Sequence, residues 1–348
     1  MGLPEIFISF GTAAVTAITR SARGVLAIVL DDSTAGGDAQ AVYRTLADVP
    51  EEQFTPQNYR TLTLAFLSGP NKVLILRKND ITDKALFAEL SQQKFDWLAA
   101  PGLDSGAVVS FIRQQRAEGR GVKAVVANAD APDCEGIVNL CVSGLVLKDG
   151  AVSAADYTAR IAGLLAAMPL NRSATFQPLA EVAACDALED PDAAIDSGKL
   201  IIVGAAGGGY CLGRAVNSLV TLTPDHGAAF QKIKIVEGID LIRTDIASTF
   251  RSGYIGKVLN DYDNKLLLVT AINGYLRGLA GEVLDRAAAN LCYISAEGQR
   301  SYLEQHGIDT AEMSDSEILR ANTGSEVFLA ADLTFCDAME DLSITISM

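Results

Sequence analysis

The sequence predicts an α/β fold, mixed α+β overall, with strand-forming segments at both chain ends. Between residues 24 and 204, short apolar segments alternate with helical segments, which is typical of a mostly parallel sheet covered by helices. Farther along the chain, apolar residues recur three or four positions apart, as on one face of a long helix. Near each end they recur at every second position, the pattern of a strand with one apolar face.

Composition limits the classes of function. The chain has 348 residues, 49% of them hydrophobic, and its net charge of −15 provides no basic stripe for phosphate backbones, which disfavours nucleic-acid binding. It has no apolar run of the roughly 18 residues that a membrane span requires, and residues 1–5 do not read as a secretory signal. Six scattered cysteines without a CxxC pair favour reduced thiols in a cytosolic protein over a metal site or a disulfide framework.

The alternating region begins with a continuous apolar strand at residues 25–30. Thr55 and Pro56 favour a helix start, with Thr as the N-cap and Pro at the first helical position, and Gly69-Pro70 favours its end. Pattern and turn residues then predict further elements in order: strand 72–77, helix 82–93, strand 95–99, helix 105–118, strand 122–128, strand 143–147, a helix from Ser153 to Met168, and strand 200–204.

From residue 231 the pattern changes to two long amphipathic helices. The first has an apolar stripe, and the charged residues Asp240, Arg243, Asp245 and Arg251 lie off it. The second is predicted to start at Asp261 or Asp263. The residues of the first stripe are Ile235, Ile239, Ile242, Ile246 and Phe250.

Both ends of the chain carry a short alternating strand. In the last strand, Leu342, Ile344 and Ile346 alternate with Ser343, Thr345 and Ser347; the first contains Ile6, Ile8 and Phe10. Such a strand needs a sheet edge to pair with, either in its own domain or in a neighbouring subunit. Because both ends have one, and residues 11–24 resemble a linker, donation to a neighbour is favoured. Head-to-tail donation builds rings or helical filaments.

Catalytic constellations are missing from the sequence. It contains two histidines and no GxSxG elbow, so a hydrolase triad is not expected. The run Gly204–Gly209 follows a predicted strand and leaves open an alternative, an α/β nucleotide-binding enzyme that uses this loop. No GK[ST] follows the run, however, and the glycine spacing does not fit GxGxxG. We therefore expect neither an enzyme nor a bound cofactor or metal.

Several segments, in their order and spacing, resemble contractile tail sheath proteins of the short type found in myophages of Gram-positive hosts and in related phage-tail-like bacteriocins. The resemblance covers essentially the whole chain. The segments are residues 2–6, 17–18, 20–24, 96–101, 123–128, 213–219, 256–265 and 338–342.

The resemblance implies a structural subunit that surrounds an inner tube as stacked hexameric rings and contracts to drive the tube through a cell envelope. Its implied partners are other sheath subunits, the inner tube protein, and the baseplate and tail terminator proteins, with no nucleic acid and no membrane. It implies synthesis in the cytoplasm of a bacterial host and assembly into a phage tail or phage-tail-like particle. The middle domain is expected to have a subtilisin-like fold without protease activity.

The resemblance also implies five segments: an N-terminal arm and linker (1–23), an N-terminal α/β segment (24–92), the subtilisin-like middle domain (93–230), a C-terminal sheath domain of α+β type with the two long helices (231–332), and a C-terminal arm (333–348). The inter-subunit arm strands are then Ile6, Ile8 and Phe10 at one end and Leu342, Ile344 and Ile346 at the other. Candidate tube-facing residues are Glu297, Arg300, Glu304, Glu312, Asp315, Glu317 and Arg320.

Overall fold

A computed structural model describes residues 17–79, 81–224 and 226–347. The predicted N-terminal strand with Ile6, Ile8 and Phe10 lies outside the described residues. The chain folds as two compact units. The larger unit contains Ser21–Thr244 and residues 335–347, and the smaller contains residues 17–20 and Asp245–Thr334.

The larger unit is built around a seven-stranded sheet with the order β10-β6-β5-β4-β1-β3-β2. All neighbouring pairs are parallel except the edge strand β2, which runs antiparallel to β3. Two smaller antiparallel sheets, β8-β7-β9 and β11-β12, complete it. The strands are β1 Val25–Leu30, β2 Gln40–Tyr43, β3 Lys72–Arg77, β4 Trp97–Ala99, β5 Lys123–Ala127, β6 Ile137–Leu140, β7 Val146–Leu147, β8 Gly150–Ala151, β9 Val182–Ala184, β10 Lys199–Leu200, β11 Ile202–Gly204 and β12 Tyr210–Leu212.

Helices cover both faces of the large sheet. They are α1 Pro56–Phe66, α2 Asp83–Gln92, α3 Ser105–Ala117, α4 Ala154–Ala167 and the short α5 Pro191–Asp196. Alternate residues of β1 point to opposite faces. Leu26 and Ile28 pack in a core with residues of α1 and α4, whereas Ala27 and Val29 pack in a second core with residues of α2 and α3.

The predicted helix starts are confirmed by their caps. The side chains of Thr55, Thr82 and Ser153 each accept a hydrogen bond from the main-chain N–H three residues later, which satisfies an N–H group that a helix cannot pair internally. The single strand predicted at residues 200–204 is wrong, because Lys199–Leu200 pairs with β6 in the large sheet whereas Ile202–Gly204 pairs with β12.

The first long helix, α6 Ile233–Gly253, is confirmed, and two of the four charged residues that lie off its apolar stripe are buried. Asp240 is buried beside Arg116 and Lys123 in the larger unit. Asp245 is buried in the smaller unit, where its carboxylate accepts a hydrogen bond of 2.7 Å from the Tyr275 hydroxyl. The helical period failed to indicate this because partners from other elements, not apolar neighbours, make the burial of these charges favourable.

The smaller unit contains helices and one strand pair. Besides the part of α6 from Asp245 onward, its helices are α7 Tyr262–Gly278, α8 Ala296–Gln305 and α9 Asp315–Arg320, and the antiparallel pair consists of β13 Leu291–Ile294 and β14 Leu329–Asp332. Asp261 caps α7 by accepting a hydrogen bond from the Asn264 N–H, at one of the two predicted starts. Within the described ranges, no helix is long and apolar enough to cross a membrane.

Candidate functional site: the C-terminal segment and an open strand pair

The C-terminal segment is held to the larger unit at its base. The side chain of Glu340 is only 8% exposed, and its carboxylate accepts hydrogen bonds from the hydroxyls of Ser173 at 2.9 Å and Thr175 at 2.6 Å. Arg214 lies 3.5 Å from the same carboxylate. Burial of a carboxylate is costly unless donors and a positive charge compensate it, and these three residues provide both.

Further polar contacts flank Glu340. Arg214 donates a hydrogen bond of 2.6 Å to Asp341, and this bond and the charge of the guanidinium hold the pKa of Asp341 below its ordinary value. Lys232 pairs with Asp337, and Lys234 donates to the carbonyl of Cys336. Residues 336–341 therefore form a polar anchor, and residue 342 is the first beyond it.

Beyond the anchor, the predicted arm residues are exposed to solvent. The side chains of Leu342, Ile344 and Ile346 are 85%, 69% and 81% exposed, respectively, and residues 342–347 are not part of any sheet. Isolated exposed apolar residues are common on proteins, but three at strand spacing form a continuous apolar face. This segment can bury that face only by pairing with a further surface.

In the strand pair of the smaller unit, β13 has one buried face and one exposed face. Cys292 and Ile294 of β13 are buried, whereas Leu291 and Tyr293 are exposed. Directly opposite them in β14 lie Ala331 for Cys292 and Leu329 for Ile294. A two-stranded sheet has two edges, each with main-chain groups that can pair with a further strand.

One of these edges is occupied by a side chain. The amide of Asn273, on α7, donates a hydrogen bond of 2.9 Å to the carbonyl of Cys292 and accepts one of 2.7 Å from its N–H. The amide thus makes the two bonds that a neighbouring strand would make at this residue. No sequence pattern indicated this role, since Asn273 lies in mid-helix and its partner is 19 residues away.

The candidate tube-facing residues lie on or near α8 and α9. Six of the seven are exposed and Arg300 is half-buried. Several also have structural partners: Arg300 bonds Asp315 at 3.2 Å, Glu317 closes a capping box with Ser314, and the Arg320 guanidinium lies 4.4 Å from the centre of the Tyr262 ring. These contacts fit a solvated helical surface as well as a binding surface.

The glycine run does not form a phosphate-binding loop. Gly204 ends β11 and Tyr210 begins β12, so residues 205–209 form the tip of an antiparallel hairpin. Gly208 and Gly209 have φ angles of 92° and 81°, which glycine adopts without strain. A phosphate loop requires a helix N-terminus directly after the strand. The structural premise of the nucleotide-binding alternative is therefore wrong.

No group of three or more His, Cys, Asp or Glu side chains that could hold a metal ion occurs in the part of the chain that the structure describes.

Comparison with known proteins identifies the family. Over its whole length, the chain is 33% identical to a tail sheath protein of Clostridium phage phiCD119, across 99% of that protein. This chain belongs to the tail sheath protein family. The resemblance found in the sequence is thereby confirmed: the chain is a structural subunit of a contractile tail sheath and a component of a phage tail or tail-like particle. Residues 225–284 match the family model described as the phage tail sheath C-terminal domain.

Solved structures agree on the fold. A sheath tail protein from Desulfitobacterium hafniense matches with a TM-score of 0.68 and 16% identity, over 84% of this chain and 94% of that one. The helical sheath of the anti-feeding prophage in its contracted state matches with a TM-score of 0.73 and 14% identity, over 100% and 99%. The mixed α+β architecture is therefore a tail sheath fold.

Proposed function

We propose that this sheath subunit polymerises as stacked hexameric rings around an inner tube, and that contraction of the polymer drives the tube through a cell envelope. Family membership supports the general role, and the likeness to a contracted helical sheath supports a helical assembly of the same fold. The observation that carries the proposal for this chain is the exposed segment 342–347, whose apolar residues alternate with polar ones and which follows the anchor at the buried Glu340.

The exposed segment acts as an arm between subunits. Burying a Leu or Ile side chain contributes on the order of 2 kcal/mol, so Leu342, Ile344 and Ile346 together favour docking on a neighbour. The docking site is the C-terminal sheath domain of another subunit, which contains the β13–β14 pair. Ile6, Ile8 and Phe10 form the second arm strand.

Contraction moves the bodies of the subunits while the arms stay paired. Main-chain hydrogen bonds between paired strands are directional. Residues 11–24 and the anchored C-terminal segment connect the arms to the bodies of the subunits, so these bonds persist when the bodies rotate. A gain of about 1–3 kcal/mol per subunit in the contracted packing, summed over many subunits, suffices to drive the change. Contacts with the tube and the baseplate hold the extended state.

The chain has no catalytic activity and binds no cofactor, nucleic acid or membrane. It is made in the host cytoplasm and contacts the inner tube, the baseplate and the tail terminator. Its five segments are those given by the resemblance, with a subtilisin-like middle domain at 93–230. The parallel order of the large sheet supports that fold without identifying it. The tube-facing residues are Glu297, Arg300, Glu304, Glu312, Asp315, Glu317 and Arg320.

A matched pair of substitutions tests the arm. Ile344→Asp places a charge on the apolar face of the strand, where it is buried without a partner in the docked state. Thr345→Asp places the same charge one residue later, on the polar face of the strand. We expect Ile344→Asp and a deletion of residues 342–348 to give folded monomers, and Thr345→Asp to give polymers, by sedimentation and electron microscopy.

Thermal unfolding of each variant verifies that the subunit itself is folded. Polymers of normal length from the deletion would contradict the proposal, as would equal loss of assembly in the two Asp variants.

A further inference from the structure

The two edges of the β13–β14 pair differ in their main-chain groups. Ser295 N–H bonds the carbonyl of Phe328, and the register pairs Tyr293 with Ala330 and Leu291 with Asp332. Because hydrogen-bonded and non-hydrogen-bonded pairs alternate in an antiparallel ladder, these residues direct their main-chain groups between the strands. Cys292 and Ile294 therefore direct theirs to the outer edge of β13, and Leu329 and Ala331 to the outer edge of β14.

The outer edge of β13 is closed at Cys292 by the amide of Asn273. On the outer edge of β14, no hydrogen bond to the main chain of Leu329 or Ala331 is found among residues 17–79, 81–224 and 226–347. An incoming strand on β13 would have to displace both Asn273 bonds, whereas on β14 it would break no hydrogen bond made by the residues that the structure describes. The edge of β14 is therefore the better acceptor.

The exposure of the side chains also favours the edge of β14. Cys292 is buried, yet Ala331, directly opposite it on the same face, is exposed, and Leu329 is only half-buried. The apolar face of this sheet thus extends to β14 without being covered there. A strand next to β14 whose alternate residues are apolar would cover it, and residues 342–347 have that pattern.

We propose that Asn273 closes one edge of the strand pair and so directs the C-terminal arm of a second copy, residues 342–347, to the edge of β14. Leu342, Ile344 and Ile346 then lie on the face shared with Cys292 and Ala331, and Ser343, Thr345 and Ser347 lie on the opposite face, with Tyr293 and Ala330. This inference rests on the proposed exchange of arms and adds the edge, the facing side chains and the residue that selects them.

Disulfide trapping in the full-length chain distinguishes the two edges. Ala330→Cys on β14 and Tyr293→Cys on β13 lie on the same face, and each is combined with a cysteine at Ser343, Thr345 or Ser347 in turn. Adjacent strands are about 4.8 Å apart, within the Cα separation of about 7 Å that a disulfide tolerates. Strands two positions apart are separated by roughly 10 Å, which is too far.

The polymer is collected by sedimentation, oxidised and run on non-reducing gels. Variants with only one of the two introduced cysteines are the controls for the six native thiols. We expect covalent ladders with Ala330→Cys in one arm register and none with Tyr293→Cys. Ladders with Tyr293→Cys alone would overturn the edge assignment and leave arm exchange standing. No ladder from either position in a sedimenting polymer, or no polymer from any variant, would overturn arm exchange as well.

The role of Asn273 has its own test. Asn273→Ala removes the amide that occupies the β13 edge, so Tyr293→Cys ladders should appear in this background. If the ladder pattern is unchanged by Asn273→Ala in a polymer that still forms, Asn273 does not select the edge.

Discussion

The attachment of α6 within the larger unit depends on a buried carboxylate. Asp240 and Lys123 are each 3% exposed, and Arg116 is also buried. The Asp240 carboxylate accepts hydrogen bonds of 2.8 Å from Arg116 and 3.0 Å from Lys123. Burial alone would raise the pKa of Asp240, but the charges and hydrogen bonds of Lys123 and Arg116 outweigh it and hold this pKa below its ordinary value.

Replacing Asp240 with Asn keeps the shape of the side chain and removes its charge, leaving two buried cations with less compensation. Loss of one partner from a buried pair costs about 3–5 kcal/mol. Glu135 still lies 2.8 Å from Arg116, and Glu237 lies 3.1 Å from Lys123, so the lower figure, about 3 kcal/mol, is expected. For a unit of about 150–250 residues, each kcal/mol lowers Tm by about 2–4 °C, which gives a loss of about 6–12 °C.

The assay is thermal unfolding of the full-length monomer, followed by calorimetry and circular dichroism. The control is Glu189→Gln, which removes a charge from an exposed carboxylate and should change stability by less than about 0.5 kcal/mol. If Asp240→Asn unfolds within about 1 °C of the unsubstituted chain, the ion network does not contribute as the buried geometry requires.

Two further predictions concern the core of the larger unit. Asp32 accepts hydrogen bonds from the side chains of Thr34 and Asn58 and from the main-chain N–H groups of Thr55 and Thr34; burial alone would raise its pKa, but these hydrogen bonds lower it to about 2. Asp32 therefore contributes roughly 2 kcal/mol to the free energy of unfolding above pH ~4, and this contribution is lost as the pH falls towards ~2. In urea titrations at a series of pH values, Asp32→Asn should reduce the loss of stability over this range. An unchanged loss would contradict the prediction. Gly163→Ala should lower Tm although Ala favours helices by about 1 kcal/mol, because its Cβ would overlap the carbonyl oxygen of Ala65. Gly274→Ala has open space and should raise Tm; a rise in both would refute the close approach.

Signals in the local sequence were sufficient to predict most helices. Thr55, Thr82 and Ser153 start helices through their own side chains, so the sequence nearby contains the whole cause. Strand order, in contrast, depends on distant residues. Leu200 and Ile202 are two positions apart and belong to different sheets, because β6 and β12 are the partners that divide them.

The candidate site was predictable only in part. The alternation at Leu342, Ile344 and Ile346 indicated an apolar strand face, and these side chains are exposed. The anchor at Glu340 was not predictable, because its partners lie 165 and 167 residues away at Thr175 and Ser173. Such pairs leave no periodic trace in the sequence, and the burial of Asp240 was missed for the same reason.

Cryo-electron microscopy of the assembled polymer, at a resolution that traces the chain ends, tests the exchange of arms most directly. The account predicts continuous density from the anchor at Glu340 to a strand of residues 342–347 that is paired with the C-terminal domain of a different subunit. Density in which residues 342–347 pair with a sheet of their own subunit, in rings that are nevertheless intact, would contradict it.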